Sequence, residues 1–188
     1  GQRHARELEA ASWQARAARA ATHHIVDVSF LAELVSAGTT LVRGGGDVPD
    51  LDALDPATLD QPPTYVPNRN MILLSLAAAY AEAHGARDVF YGAHSHDEYG
   101  YWDCTQDFLD RLNATLALNR REAVTIHAPF IDTHKESLVT LGQELGVDFA
   151  HTWSCYRGGD TACGACPTCR ERLNAFKAAH AKDPLPYA

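Results

Sequence analysis

MILLSLAAAYAEAHGARDVFYG, residues 71–92, carries a helix, its stop and a strand in unbroken succession. Met71 to His84 is rich in Leu and Ala and apolar nearly all the way round, which predicts a helix buried on most sides. Asn68 or Asn70 stands where its cap belongs, and Gly85 where it ends. Asp88-Val89-Phe90-Tyr91-Gly92 reads as a strand. A polar loop follows from His94 to Asp103. Thr105 to Leu118 is the next helix, with Phe108, Leu109, Leu112 and Leu116 on one face, and Ala123 to His127 the next strand. Thr133-His134-Lys135-Glu136 has capping-box spacing. The helix it starts places Leu138, Leu141 and Leu145 inward and ends at Gly146. A last helix runs from Pro167 to His180, and the tail from Lys182 to Ala188 is expected to fray.

In the other direction, Asp47 to Pro67 holds five Asp, five Pro and no Lys, Arg or Glu, and reads as a solvated, mobile loop beginning near residue 37. His24 to Val28 is a β-branched run that predicts a strand, followed by a short helix capped by Ser29 and running through Leu34. Gln2 to about Ala20 is helical by composition, with a weak stripe of Leu8, Ala11, Ala15 and Ala18. Strands alternating with helices predict an α/β fold: a parallel sheet with helices on both faces. The expected organisation is one such domain over residues 1–150, a cysteine knot with its helix over 151–182, and a tail over 183–188.

Composition narrows the function classes. The chain has 188 residues, 46% hydrophobic and 21% charged, which excludes a disordered chain, a collagen-like repeat and a coiled coil. A chain of this size buries roughly 70% of its unfolded surface without disulfide staples. The longest mostly apolar run, Met71 to Ala81, falls short of the roughly 20 residues that span a bilayer. No export signal pattern is present in the sequence. The expected location is therefore the cytoplasm. The net charge of −8 argues against a broad nucleic-acid face, although Arg170, Arg172, Lys177 and Lys182 make the last helix locally basic.

Four of the five cysteines crowd into fifteen residues as Cys155-x7-Cys163-x2-Cys166-x2-Cys169. Four thiolates suit Zn2+ in a closed tetrahedral site, with Pro167 opening a helix that sets Cys166 and Cys169 on one turn. Free thiols, two disulfides or an iron–sulfur cluster are the alternatives, the last with a spacing that fits neither common ferredoxin run. Such a closed site would fasten the last helix rather than catalyse. Arg69 reads either as an anion fork at a helix N-terminus or as an exposed arginine beside a turn. The run His94 to Tyr99 follows a strand, where open parallel sheets place their ligand crevice, or is a solvated loop. Asp132 and Lys135 follow the next strand, with helix capping as the alternative. Cys104 reads as a small buried hydrophobe before a nucleophile. Gly44-Gly45-Gly46 lacks the flanking strand and helix of a phosphate cradle.

Gly1-Gln2-Arg3-His4, Thr64-Tyr65-Val66-Pro67-Asn68-Arg69-Asn70, Gly100-Tyr101-Trp102-Asp103-Cys104, Thr152-Trp153-Ser154-Cys155-Tyr156 and the cysteine knot occur together and in order. In this combination, over essentially its whole length, the chain resembles the 7-cyano-7-deazaguanine synthases, the QueC (ExsB) family. The resemblance implies a Rossmann-like ATP-pyrophosphatase fold of the adenine nucleotide alpha hydrolase type. It implies an ATP-dependent ligase that converts 7-carboxy-7-deazaguanine and ammonia to the nitrile preQ0, with Mg2+ accompanying the ATP, one structural Zn2+ and a homodimeric assembly. By position, Cys155, Cys163, Cys166 and Cys169 match the zinc ligands. Arg69, Asp97 and Lys135 match candidate catalytic positions, and Asn70, Tyr101, Asp103 and Asp132 candidate substrate contacts.

Two departures stand out. Asn68 occupies a position that is usually glycine in the family, and Asn tolerates left-handed geometry better than most residues. The family's Ser-Gly-Gly-x-Asp-Ser phosphate signature, expected upstream of Gly1, does not occur in these residues. A strand, a phosphate loop and a helix, roughly 30–40 residues, are then expected to be missing. The 188 residues alone would be a fragment that binds ATP poorly and is unstable. A different amidating or thiolating relative, and a non-catalytic zinc module, are the competing expectations.

Overall fold

The computed structural model describes residues 6–42, 44–55, 61–95 and 100–188. The described helices are α1 (Arg6–Ala17), α2 (Phe30–Val35), α3 (Arg69–Ala83), α4 (Gln106–Leu116), α5 (Lys135–Glu144) and α6 (Pro167–Ala178). Two strands, β1 (Asp88–Phe90) and β2 (Thr125–His127), pair in parallel with Val89 opposite Ile126. The chain gathers into two compact units. One holds Gln61, Pro62 and Pro67–Lys135; the other holds the described residues up to 55, Pro63–Val66 and Glu136–Ala188.

The first of these units is the sheet unit. Val89 and Ile126 face a core with Leu74 of α3 and Phe108, Leu109 and Leu112 of α4. The opposite face of the strands carries Phe90 stacked on His127 at 4.8 Å, and His127 Nε2 lies 2.7 Å from Asp88. Asn113 of α4 bonds both backbone groups of Ile126, at 2.9 and 2.8 Å, and so satisfies an edge of β2 that would otherwise seek a strand. The helix at 71–84 forms, but it is not buried on most sides. Leu74, Ala78 and Ala81 turn inward, while Leu73, Leu76 and Tyr80 remain 42–45% exposed. An apolar surface all round permits burial but does not supply a partner on every side.

The second unit closes around the cysteines. Cys155, Cys166 and Cys169 are packed with Leu41, Val48, Val66 and Ala162. A separate cluster joins Val139 of α5 to Ala175 and Phe176 of α6, with Phe149 against it. Gly142 of α5 is buried, and a Cβ built there would lie 2.5 Å from the Phe149 ring.

Several expectations are corrected in this unit. His24 to Val28 is not a strand; Ile25 and Val26 are exposed, and among the described residues the run has no neighbouring strand with which extended pairing would gain anything. Ser29 stands at the start of α2, but its side chain makes no capping bond. The segment read as a solvated loop buries Val48, Thr64, Tyr65 and Val66, and Val48 and Val66 pack with the cysteine cluster. Leu145 is 71% exposed: α5 ends at Glu144, and Gly146 turns the chain at φ +72° before Leu145 can face inward. The tail does not fray either. Asp183 is buried, and Ala162 pairs with Tyr187 as an isolated parallel bridge.

Candidate functional site

In the sheet unit the chain leaves β1 and β2 at their carboxyl ends, side by side, and the two exits are tied together. Tyr91 N–H donates to the His127 carbonyl at 3.0 Å, extending the parallel pairing by one bond. Ser95 donates from its backbone N–H at 3.3 Å and from its Oγ at 3.1 Å to the Thr133 carbonyl. Ser95 Oγ also lies 3.2 Å from His134 Nδ1. Adjacent strand ends in a parallel sheet form the ligand crevice typical of open α/β folds.

The N-terminus of α3 is held by a neighbouring segment rather than by its own cap. Asn68 adopts the left-handed conformation at φ +54°, and its side chain makes no capping bond. A carboxylate from the 3₁₀ turn Trp102–Cys104 takes that place: Asn70 N–H donates to Asp103 Oδ2 at 3.1 Å. The Asn70 amide donates to the Asp103 carbonyl at 3.4 Å and to Cys104 Sγ at 3.0 Å. Asp103 is only 2% exposed, and its negative charge complements the positive end of the α3 dipole. Thr105 then caps α4 by accepting from Phe108 N–H at 3.2 Å. One turn therefore fixes the starts of two helices.

The sequence-derived residues fall around this region as follows. Arg69 opens α3 and is half-buried. Tyr101 is half-buried against the sheet core, and its carbonyl accepts from Cys104 N–H at 2.8 Å. Asp132 is exposed in the exit from β2, and Lys135 is the first residue of α5. Asp97 lies outside the described residues. Asn70 and Asp103 are bonded to each other. The Ser95–His134 contact was not legible, because it joins positions 39 apart whose adjacency depends on β1 pairing with β2.

In the other unit, the sulfurs of Cys155, Cys163, Cys166 and Cys169 all lie within 4.8 Å of one another, and Cys163 Sγ is 3.9 Å from Cys169 Sγ. A tetrahedron of thiolates about 2.3 Å from a Zn2+ ion has sulfur–sulfur edges of about 3.8 Å. The donor set and spacing fit such an ion. Backbone N–H groups already point at the sulfurs: Cys166 N–H at 3.3 Å from Cys163 Sγ, and Cys163 N–H at 3.5 Å from Cys155 Sγ. Cys166 sits at the N-cap position of α6, with Pro167 behind it. Hydrogen bonding with Cys155, and then with Cys169, holds the Cys166 thiol far below its ordinary range. The same contacts push Cys155 and Cys169 up.

The clasp around the knot uses charges that the sequence presents as surface. Arg157 donates to the Val48 carbonyl at 3.0 Å and to Asp50 at 2.7 Å, and Arg170 lies 3.7 Å from Asp52. Arg172, read as part of a basic helix face, is instead 8% exposed and paired in bidentate fashion with Asp183, at 2.7 and 2.9 Å. Arginine three residues after a run of metal-type cysteines carries no local sign that its partner lies eleven residues on.

Residues 1–180 match the family described as queuosine biosynthesis protein QueC. The 7-cyano-7-deazaguanine synthase of Caldicellulosiruptor bescii is 44% identical over 187 residues, covering all of this chain and 82% of the relative. The protein of that name in Archaeoglobus fulgidus is 44% identical over 186 residues, 98% of this chain and 75% of the relative. That of Nostoc sp. is 40% identical over 192 residues, all of this chain and 82% of the relative. With parallel strand ends, the crevice-side loops and the four-cysteine cluster in place along one continuous match, the chain belongs to the QueC family.

Proposed function

We propose that this protein is an ATP-dependent carbon–nitrogen ligase that converts 7-carboxy-7-deazaguanine and ammonia to 7-cyano-7-deazaguanine in queuosine biosynthesis. The single observation that carries this reading is the match to 7-cyano-7-deazaguanine synthases over the whole chain at 44% identity. The chemistry explains the need for ATP. Carboxylate and amide oxygens are poor leaving groups, and attaching a phosphate or adenylyl group lets each depart. Ammonia displaces the first to give the amide, and loss of the second oxygen gives the nitrile. Mg2+ accompanying the ATP would neutralise phosphate charge.

Positioning and charge neutralisation then supply most of the catalysis. Arg69, the first residue of α3, would meet a carboxylate or phosphate with its guanidinium. Asp97 and Lys135 complete the proposed catalytic set, with Lys135 next to His134 and the Ser95 tie. Tyr101 and Asp132 would contact the bicyclic base. Asp103 and Asn70, bonded to each other, act as positioning residues that fix the start of α3 and hence Arg69.

Cys155, Cys163, Cys166 and Cys169 would hold one Zn2+, a structural ion that fastens α6 and supplies no open position for water. No described helix is long and apolar enough to cross a membrane. The proposed setting is the cytoplasm, whose reducing conditions keep these thiols available, with two copies forming a homodimer.

The test uses the protein purified from its own cells. Incubation with 7-carboxy-7-deazaguanine, ATP and ammonium should give the nitrile, and Arg69→Ala should lower kcat/KM by about 10²-fold or more. ATP consumption with another carboxylate, and none with this one, would replace the substrate assignment. Sedimentation of the same sample reads the dimer.

A further inference from the structure

We propose that the tail Asp183–Ala188 is a latch on the metal knot, with Arg172, Asp183 and Tyr187 acting as positioning residues that hold Cys163 in the ligand set. The inference rests on reading the four thiolates as one metal site. Among the four cysteines, Cys163 alone is only half-buried; the other three are fully enclosed. It lies between Ala162 and Gly164, and the tail grips both. Ala162 N–H donates to the Pro186 carbonyl at 3.1 Å, and the Ala162 carbonyl accepts from Ala188 N–H at 2.9 Å. Tyr187 lies over Gly164, where an added Cβ would sit 3.5 Å from its ring, an ordinary contact distance.

The other end of the latch is fixed to the ligand helix. Arg172 follows Cys169 by one turn of α6 and clasps Asp183 through both carboxylate oxygens. Its remaining donors go to Thr152 Oγ1 at 2.7 Å and to the Phe149 carbonyl at 3.1 Å, and the guanidinium lies 5.1 Å from the Phe176 ring. Tyr187 Oη donates to Asp183 Oδ2 at 2.5 Å and closes the ring. Helix, tail and cysteine loop thus form a closed circuit with Cys163 inside it.

A chelated ion leaves stepwise, starting at the ligand most able to swing away. Cys163 is the most exposed ligand and lies in a loop rather than on α6. Without the tail, both backbone groups of Ala162 lose their partners and Arg172 loses the carboxylate that compensates its charge. The coupling is reciprocal: whatever the tail adds to metal retention, the metal adds to tail docking.

The experiment loads the protein purified from its own cells with Zn2+, confirms one ion per chain, and follows its release to an excess of a chromogenic chelator. Deleting residues 183–188 should speed release by about 10–100-fold, the range for groups that orient metal ligands. Tyr187→Phe keeps the ring and removes only the hydroxyl. It should speed release by a smaller factor, while a Co2+-loaded sample retains the spectrum of tetrahedral four-sulfur ligation. Conversely, chelation should make the tail sensitive to carboxypeptidase. Variants that melt earlier yet release Zn2+ at the parent rate would overturn the latch and leave the metal reading standing. A parent chain that takes up no Zn2+ would overturn the metal reading, and the latch with it.

Discussion

The cysteine knot and the strand-end crevice place their polar groups in opposite ways. In the knot, four sulfurs from within fifteen residues converge on one another and are wrapped by Arg157, Arg170 and Arg172, each facing a carboxylate. At the ends of β1 and β2 the groups come from positions spread between Arg69 and Lys135 and are tied pairwise across the loops, as Ser95 is to the Thr133 carbonyl through its N–H and its Oγ. A site closed on itself suits a structural ion, which needs permanence. An open one suits substrates that must enter, react and leave.

That contrast can be broken by mutation, and the largest effect is expected in the knot. Cys166→Ser should abolish stoichiometric Zn2+ binding and with it the cooperative unfolding of that unit, because metal-binding free energy there is folding free energy. Metal analysis and a thermal melt on one sample check this. Arg172→Met should cost about 3–5 kcal/mol in chemical denaturation, since it leaves the Asp183 carboxylate buried and unpaired. Adding Asp183→Leu should recover part of that loss, which separates the charge penalty from lost packing.

Acid should act on the same pair more gently. Burial pushes the Asp183 carboxyl up, but Arg172, then Tyr187 and the Leu185 N–H, outweigh burial and hold it below the ordinary carboxylate range. A depressed carboxyl contributes stability above the unfolded value, about 4, and loses it as pH falls through the lower folded value. Denaturation midpoints should therefore decline on acidification below about pH 4, and Arg172→Met should flatten the decline. In the crevice, Asp103→Asn should cost only about 1 kcal/mol of stability, because an amide oxygen can still accept from Asn70 N–H. Its larger signature would be a fall in kcat through the position of Arg69.

Local patterns carried much of this molecule. The helix near 71–84, the strands flanking α4 and the cysteine spacing rest on periodicity, glycine stops and ligand chemistry that neighbouring residues set among themselves. Tertiary partners decided the rest. His24 to Val28 has the composition of a strand but, among the described residues, no strand to pair with. Asp183 sits in a polar, proline-containing tail that reads as frayed, yet Arg172 draws it into the interior. Asp103 reads as a substrate contact by family position, and only the fold shows its carboxylate against the start of α3.

Gly142 has a practical bearing on attempts to stabilise the protein. Replacing a helical glycine by alanine ordinarily gains about 0.5–1 kcal/mol, so α5 would attract such a change in any engineering scheme guided by helix propensity. Here the new methyl would meet the Phe149 ring at 2.5 Å, and that ring is set edge-on against Phe176 of α6 at 5.2 Å. Displacing it would disturb the helix that carries Cys166 and Cys169, so a textually conservative improvement would loosen the cysteine-bearing end of the fold.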